Sequence, residues 1–471
     1  MSQYRRILRR IRMRGRVMEI QRKIYDKILD WKKQSKGKKA LLIEGARRIG
    51  KTTVVEEIGK REYKTYILID FNKVSKKTRE AFDGLNNLDV FFQTLMLEYN
   101  TRLFPCESLI IFDEIQKFPK AREAIKYLVQ DGRYDYIETG SLISIRENVK
   151  DITIPSEERK LKMYPVVFEE FMRYMEEDLL LEYIRSCWEQ KIPLDNRMHT
   201  KAMHLFKEYL LVGGMPQAIR AFAEEGRDFA AADVEKRDIL ELYRNDIKKA
   251  AKRYNSKVSA IFENVPAYLS THEKRIVLSE IDKNGRFDRY DEPLFWLDDS
   301  MICNLCYRCN DPNVGLALNL NDSYVKCYMG DTGLLVSLAF SENEIASQNL
   351  YKQIMDEKLS INEGMLYENM IAQMLVSQGR KLYFYTHYNE KTHKNDIEID
   401  FLLSNESKPN FKVNPIEVKS SKNYSTDSLS EFRRRFGKRI GRQMIIHPKN
   451  LSITEETIKV PPYMVWTAMD N

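Results

Sequence analysis

No stretch of the 471 residues approaches the roughly 18–20 uninterrupted apolar positions that a membrane-spanning helix needs. The N-terminus is charged but lacks an apolar h-region, so no secretory signal is expected. Cysteine is scarce: six residues in a chain this long do not make a disulfide framework. Core-forming residues are not scarce, and a hydrophobic fraction of 43% with 11% aromatics excludes a disordered chain. At roughly 100–200 residues per domain, the length predicts about two to four domains. The expectation is a soluble, cytoplasmic protein of several domains with no membrane partner.

Lys plus Arg number 77 against 69 Asp plus Glu, a net charge of +8, and the excess is uneven. Arg5, Arg6, Arg9, Arg10, Arg12, Arg14 and Arg16 crowd the N-terminus, interleaved with Ile7, Leu8, Ile11 and Met13. Spacings of three and four put several arginines on one helical face. Two readings fit: a phosphate-binding arm for nucleic acid, or a solvated or docked terminal helix.

Ala40-Leu41-Leu42-Ile43-Glu44 is an apolar run that reads as a buried strand. It leads into Gly45-Ala46-Arg47-Arg48-Ile49-Gly50-Lys51-Thr52, which satisfies G-x-x-x-x-G-K-[ST] without a mismatch. Thr53-Val54-Val55-Glu56-Glu57-Ile58 then opens a helix. Strand, glycine loop and helix in that order are the context the motif requires. Backbone N–H groups wrap phosphates there, and the helix N-terminus favours negative charge. Gly45 to Thr53 are the candidate ATP-binding residues. Lys51 would reach the β- and γ-phosphates, where it is also a catalytic candidate, and the Thr52 hydroxyl would hold Mg2+.

Ser108-Leu109-Ile110-Ile111-Phe112-Asp113-Glu114 is a second apolar strand, ending in two acids. Unpaired buried charge is costly, so such an ending needs a cation or donors nearby. Asp113 would hold Mg2+ through water as a Walker B aspartate, and Glu114 would act as general base. Thr65 to Phe71 reads as another buried strand, Ala121 to Gln130 as a helix, and Tyr134 to Ser141 as a strand ending in small polar residues. Thr139 and Ser141 are the candidate sensors of the γ-phosphate or lytic water. Alternation at this spacing implies a parallel sheet covered on both faces, with ligands at the strand carboxyl ends.

The P-loop, Phe112-Asp113-Glu114, Thr139-Gly140-Ser141 and Pro165-Val166-Val167-Phe168-Glu169-Glu170-Phe171 occur in this order. They resemble the AAA-type ATP-binding proteins of bacteria and archaea that carry a C-terminal domain of uncharacterised function. Gly213-Gly214-Met215-Pro216, Lys326 to Leu334 and Ile416-Glu417-Val418-Lys419 extend the resemblance from about Gln21 to Lys422. It implies ATP hydrolysis, a homo-oligomer or motor among the architectures open to the chain, and an arginine completing the site across a subunit or domain boundary. Arg159 is the candidate, although its surroundings depart from the Gly-Arg pair usual in that family.

From Asp178 to Lys252 apolar stripes predict helices, broken by the two glycines and proline of 213–216. A helical lid over the nucleotide fits. Ile261 to Leu269, Tyr290 to Tyr307 and Tyr324 to Met329 suit a winged helix, which would contact DNA or dock a protein. Cys303, Cys306 and Cys309 have two successive C-x-x-C spacings, which leaves a metal site and buried small hydrophobes as competing readings.

In the last third, Gly364 to Leu375 reads as a helix carrying Glu368, and Asp396 to Leu403 alternates strictly. Period two puts Asp396, Glu398 and Asp400 on one face. In Pro415-Ile416-Glu417-Val418-Lys419, Glu417 and Lys419 share a face while Ile416 and Val418 point inward. Glu368, Asp400, Glu417 and Lys419 in this order resemble the PD-(D/E)XK nuclease fold. Two carboxylates would hold Mg2+ and the lysine would steady developing negative charge. A sheet with one solvated charged face gives the same alternation. Arg433, Arg434, Arg435, Lys438, Arg439 and Arg442 follow, as a phosphate track or a solvated face.

The expected fold class is α/β. A basic helical segment (1–36) precedes a P-loop NTPase core with a RecA/AAA-like parallel sheet (37–175). A helical lid (176–255), a winged-helix-like domain (256–340) and an α/β PD-(D/E)XK nuclease-like domain (341–471) follow. The expected function is Mg2+-dependent ATP hydrolysis coupled to DNA binding or cleavage through the winged helix, the basic segments and the C-terminal domain. The alternative is a nucleotide-gated switch whose C-terminal domain binds a partner without cutting.

Overall fold

Five short runs in the first third of the chain form a parallel sheet. The computed structural model describes residues 20–141, 156–250, 254–271, 274, 276, 291–342, 347–356, 362–391, 393–405 and 412–469. The arginine cluster between Arg5 and Arg16 lies outside them. Contacts divide the chain into two units: Gln21–Tyr164 with Asp299–Met301, and Pro165–Asp298 with Ile302–Asn471.

The first unit contains α1 (Ile24–Ser35), β1 (Ala40–Glu44), α2 (Lys51–Glu62), β2 (Thr65–Asp70), α3 (Lys76–Ala81), α4 (Leu88–Glu98), β3 (Ser108–Asp113), α5 (Pro119–Asp131), β4 (Asp135–Gly140) and β5 (Glu158–Lys162). The sheet order is β2-β3-β4-β1-β5 and every pairing is parallel. Parallel strands covered on both faces need near-continuous apolar runs. Accordingly, the central strands β1 and β3 are buried along their whole length. One layer packs Phe71, Phe82, Phe91, Phe92 and Phe112 with Tyr136 against the sheet. The carboxyl ends of β1, β3 and β4 therefore come together, as the motif order predicts.

The second unit opens with helices α6 (Phe168–Tyr174), α7 (Asp178–Gln190), α8 (Asn196–Val212), α9 (Pro216–Glu224), α10 (Phe229–Ala250) and α11 (Asn255–Ser270). After α12 (Asp291–Asp299), strands and helices alternate: β6 (Cys303–Cys309), β7 (Leu320–Met329), α13 (Thr332–Ala339), α14 (Gln348–Met355), α15 (Glu363–Ser377) and β8 (Leu382–Asn389). Next come β9 (Lys394–Ile399), β10 (Phe401–Asn405), β11 (Lys412–Val418), α16 (Asp427–Phe436), β12 (Gln443–Ile446), β13 (Ser452–Ile453) and β14 (Thr457–Val460).

The Gly-Gly-Met-Pro and Gly-Asp-Thr-Gly segments, more than a hundred residues apart, are one packing contact. Gly213 has φ 82°, and a Cβ there would lie 2.8 Å from Gly333 Cα. Asp331 accepts from Gly214 N at 2.5 Å and caps α13 by accepting from Leu334 N at 3.0 Å. Pro216 starts α9 at a position where a missing N–H costs nothing.

The sheet does not divide at residue 340: the order β7-β6-β8-β9 joins β6 to β8 by parallel pairing, Cys306 with Leu382 and Arg308 with Phe384. The hairpin that would serve as the wing of a winged helix is thereby joined through β6 to the sheet that also holds β8 and β9. The second sheet, β10-β11-β12-β14-β13, is mixed. Asp400 sits at the junction between β9 and β10, and so between the two sheets.

Cys303, Cys306 and Cys309 all lie buried on β6. Spacing of three on a strand puts Cys306 on the face opposite Cys303. Cys303 instead neighbours Cys327, and Cys309 Sγ lies 3.3 Å from the Asp311 carbonyl oxygen. Among the described residues, no group of three His, Cys, Asp or Glu side chains is arranged to hold a metal. These thiols behave as small hydrophobes, with burial pushing the Cys306 thiol up.

Candidate functional site

In the first unit, the loop between β1 and α2 is held by shape at both ends. A Cβ on Gly45 would run into the Met163 carbonyl oxygen and lie 2.6 Å from Ile49 Cδ1. Ile49 is fully buried, and its carbonyl accepts from Arg22 Nη1 at 2.7 Å. Arg22 Nη2 also donates to the Tyr164 carbonyl at 2.5 Å. Gly50, at φ 93°, turns the chain into α2. Arg22 was not legible in the sequence, because its target is a backbone carbonyl 27 residues away.

Lys51 is buried and donates to the carbonyls of Gly45, at 3.0 Å, and Ala46, at 2.9 Å. Burial lowers its proton affinity, Glu114 and Asp113 oppose that, and Arg47 adds to it. Thr52 Oγ1 stands 3.0 Å from both carboxylate oxygens of Asp113, and Thr139 donates to the same carboxylate from β4. Burial pushes Asp113 above the ordinary carboxylate range, and the two hydroxyls pull it back. Glu114 follows in the left-handed region at φ 55° and accepts from Gln116 Nε2 at 2.5 Å. Ser141 follows the end of β4, one residue beyond Gly140.

The structure thus brings Lys51, Thr52, Asp113, Glu114 and Thr139 together. Arg159 is not among them. It sits on β5 opposite Leu41, near the amino end of the strand, and donates to Gln34 Oε1 at 2.8 Å.

In the second unit, Glu368 on α15 is only 1% exposed. Lys326 Nζ approaches it at 3.0 Å, and Lys274 and Tyr328 also bond it. Burial opposes its charge, but the two ammonium groups outweigh that and hold the carboxyl at about 2. Half-buried Asp400 accepts from Val418 N at 2.8 Å. Burial and Glu368 push its carboxyl up, and Lys274 and Lys326 pull it down. Glu417 is 1% exposed, so this face of β11 is not the solvated face that alternation alone allowed. Lys419 Nζ forms an ion pair with Glu417 Oε2 at 2.9 Å. Burial raises the Glu417 carboxyl to about 7 despite that lysine.

Lys274, Lys326 and Tyr328 were missed by sequence reasoning. Lys326 and Tyr328 alternate on β7 and so share a face, a legible signal. Lys274 gave none. Of the basic residues after β11, Arg434 pairs with Glu431, Arg439 Nη1 lies 2.6 Å from Asp311, and Arg433 donates to the Gly441 carbonyl.

This geometry gives the comparisons with known proteins their setting. Residues 37–172 match the AAA domain family. The first unit is therefore an α/β, AAA-type P-loop domain with a parallel sheet. Residues 203–344 match a domain of unknown function, DUF8612, and residues 363–465 match another, DUF4143. No curated protein matches the sequence.

Among solved structures, the chain is similar to the ORC1 protein of Aeropyrum pernix in complex with DNA. They share 14% identity over 69% of this chain and 93% of that chain, at a TM-score of 0.26. Drosophila ORC bound to DNA has 14% identity over 69% and 96%, at 0.24. Cdc6p from Pyrobaculum aerophilum has 12% over 70% and 92%, at 0.23. No helix among the described residues is long and apolar enough to cross a membrane.

Proposed function

We propose that the AAA-type domain binds and hydrolyses ATP with Mg2+, and that the second unit binds DNA under control of the nucleotide state. The carrying observation is the convergence of Lys51, Thr52, Asp113 and Thr139 at the carboxyl ends of three parallel strands. The residues fit the ligand: a loop too tight for a Cβ at Gly45, a buried ammonium, and a hydroxyl beside a carboxylate. Gly45 to Thr53 would hold the phosphates, and Thr52 and Asp113 would hold the metal. Mg2+ supplies charge neutralisation to the phosphate oxygens. Glu114 orients and deprotonates the attacking water, and Thr139 keeps Asp113 in place. The test is nucleotide affinity and turnover of the full chain against Lys51→Ala. Absence of ATP binding by the wild type sinks the reading.

For the C-terminal domain, one observation favours DNA binding over cleavage. Glu368 is already held by the ammonium groups of Lys274 and Lys326, where a nuclease would need the charge for a divalent cation. Lys274 and Lys419 stay partly exposed beside Asp400 and Glu417, while Lys326 is buried against Glu368. Labelled duplex and single-stranded DNA, incubated with Mg2+ or Mn2+ and with or without ATP, should be retarded in a gel but not shortened. Cleavage lost in Asp400→Ala would establish the nuclease instead. No retardation in any nucleotide state removes the DNA half.

A further inference from the structure

We infer that Arg22 is a positioning residue for the phosphate loop: its guanidinium holds the Ile49 carbonyl outward and so aims the Gly50 N–H at the phosphates of the nucleotide. The inference rests on the ATPase reading of the 45–53 loop.

Arg22 stands just ahead of α1, and its own backbone is fixed. Its carbonyl accepts from Tyr25 N at 3.0 Å. Ile24, Ile28 and Trp31 of α1 are buried, and Trp31 Nε1 donates at 3.1 Å to the carbonyl of Lys39, just before β1. Tyr25 donates to Glu62 Oε1 at 2.7 Å. Glu62 is the last residue of α2, and Ile49 lies two residues before its first. Arg22 and Tyr25 therefore brace the helix that follows the loop at both of its ends.

The guanidinium holds two carbonyls from separate segments, Ile49 through Nη1 at 2.7 Å and Tyr164 through Nη2 at 2.5 Å. A planar fork serves both in one fixed geometry, which the point charge of an ammonium does not. The neighbour of Tyr164, Met163, donates its N–H to the Glu44 carbonyl at 2.8 Å. The chain beyond β5 thus grips the loop on both sides, at Glu44 directly and at Ile49 through Arg22.

The consequence for phosphate follows from peptide geometry. A trans peptide is planar, with its C=O and N–H pointing opposite ways. The Ile49 carbonyl points at Arg22, so the Gly50 N–H points away from it. Arg48 and Gly50 are left-handed on either side of Ile49, at φ 68° and 93°. Alternation of this kind gathers successive N–H groups into an anion-binding concavity. Glycine accepts either sign of φ, so the sequence itself does little to stop the 49–50 peptide from turning over. Turned over, it would present a carbonyl oxygen to the phosphates and replace attraction by repulsion. Arg22 locks the productive orientation.

The test uses the full chain as wild type, Arg22→Ala and Arg22→Lys, with kcat and KM for ATP and calorimetric affinity for ADP. Labelling glycine nitrogen together with isoleucine carbonyl carbon reports by NMR only the amides of Gly50, Gly59 and Gly441, the glycines that follow isoleucine. A phosphate contact made alike in bound ATP and in the transition state affects KM and spares kcat. Arg22→Ala should therefore raise KM and weaken ADP at least about tenfold, the worth of one hydrogen bond to a charged group. Its kcat should stay within about threefold of wild type, and the Gly50 amide should lose the shift that ADP produces in wild type. Arg22→Lys, which keeps the charge and can hold one carbonyl, should fall between the two; if Arg22→Ala does not fold, Arg22→Lys is read by the same signs. A smaller change in KM or ADP affinity overturns the inference. So does a fall in kcat at unchanged KM, the mark of lost folded protein alone, or a Gly50 amide that still shifts as in wild type. A wild type that does not bind ATP refutes the ATPase reading itself and the inference with it.

Discussion

Thr52 and Asp113, 61 residues apart, meet with the threonine Oγ1 3.0 Å from each carboxylate oxygen. With Thr139 also donating, two neutral hydroxyls orient the carboxylate. Asp113→Asn keeps the shape and removes the charge. Turnover should fall by about two to three orders of magnitude, while ADP affinity without Mg2+ stays near wild type. Calorimetric titration of ADP with and without Mg2+ separates the two effects.

Gly45→Ala places a Cβ against a backbone carbonyl that cannot give way, since Met163 N is itself bonded to the Glu44 carbonyl at 2.8 Å. Overpacking of this kind costs about 1–3 kcal/mol. The expected result is a Tm lower by several degrees for the transition of the first unit, read by calorimetry, together with weakened nucleotide binding. An unchanged Tm would show that the β5 end moves freely.

Glu368 is held at about 2 by its lysines, below the unfolded value, so its stabilising contribution is complete above the unfolded carboxyl range. It is lost as pH falls from about 4.5 towards 2. Wild-type protein should lose stability steeply across that window, and Glu368→Gln should not. At neutral pH, Glu368→Gln takes from two ammonium groups the acid they bond directly and leaves them Asp400 alone, at a cost of about 3 kcal/mol. Denaturant midpoints at several pH values check both statements.

Glu417 has the opposite sign. Its folded carboxyl, at about 7, lies above the unfolded one, so the folded state binds more protons between about 4.5 and 7. Stability therefore falls as pH rises through that window. Glu417→Gln should be more stable than wild type at pH 8 and indistinguishable at pH 4. The Tm difference between the two proteins against pH is the measurement, and a difference that does not change with pH contradicts this account.

The P-loop domain was legible because each of its features is local. Apolar runs such as Ala40 to Glu44 and Ser108 to Asp113 became strands with nearly the expected bounds, and the Gly45–Thr52 spacing fixed the loop. What escaped was long-range. Arg22 acts on a backbone oxygen, which no side-chain pattern encodes. The Lys274–Glu368–Lys326 cluster draws on three elements whose approach depends on sheet order. Along the chain β6 and β7 look like an isolated hairpin, whereas the pairing of β6 with β8 is visible only in space. Arg159 was chosen by its position before Pro165 as an arginine acting across a subunit or domain boundary, and within its own chain it lies near the amino end of β5.

The pairing of β6 with β8 also governs how the protein can be taken apart. Between the two strands the chain completes β7, α13, α14 and α15, and the Gly213–Gly333 contact ties the preceding helices to the same body. A truncation that begins near residue 340 would expose one edge of β8 and strip α15 of the lysines that neutralise its buried acid. A fragment that preserves the C-terminal chemistry has to start close to Pro165. Limited proteolysis should release such a piece before it releases any shorter one.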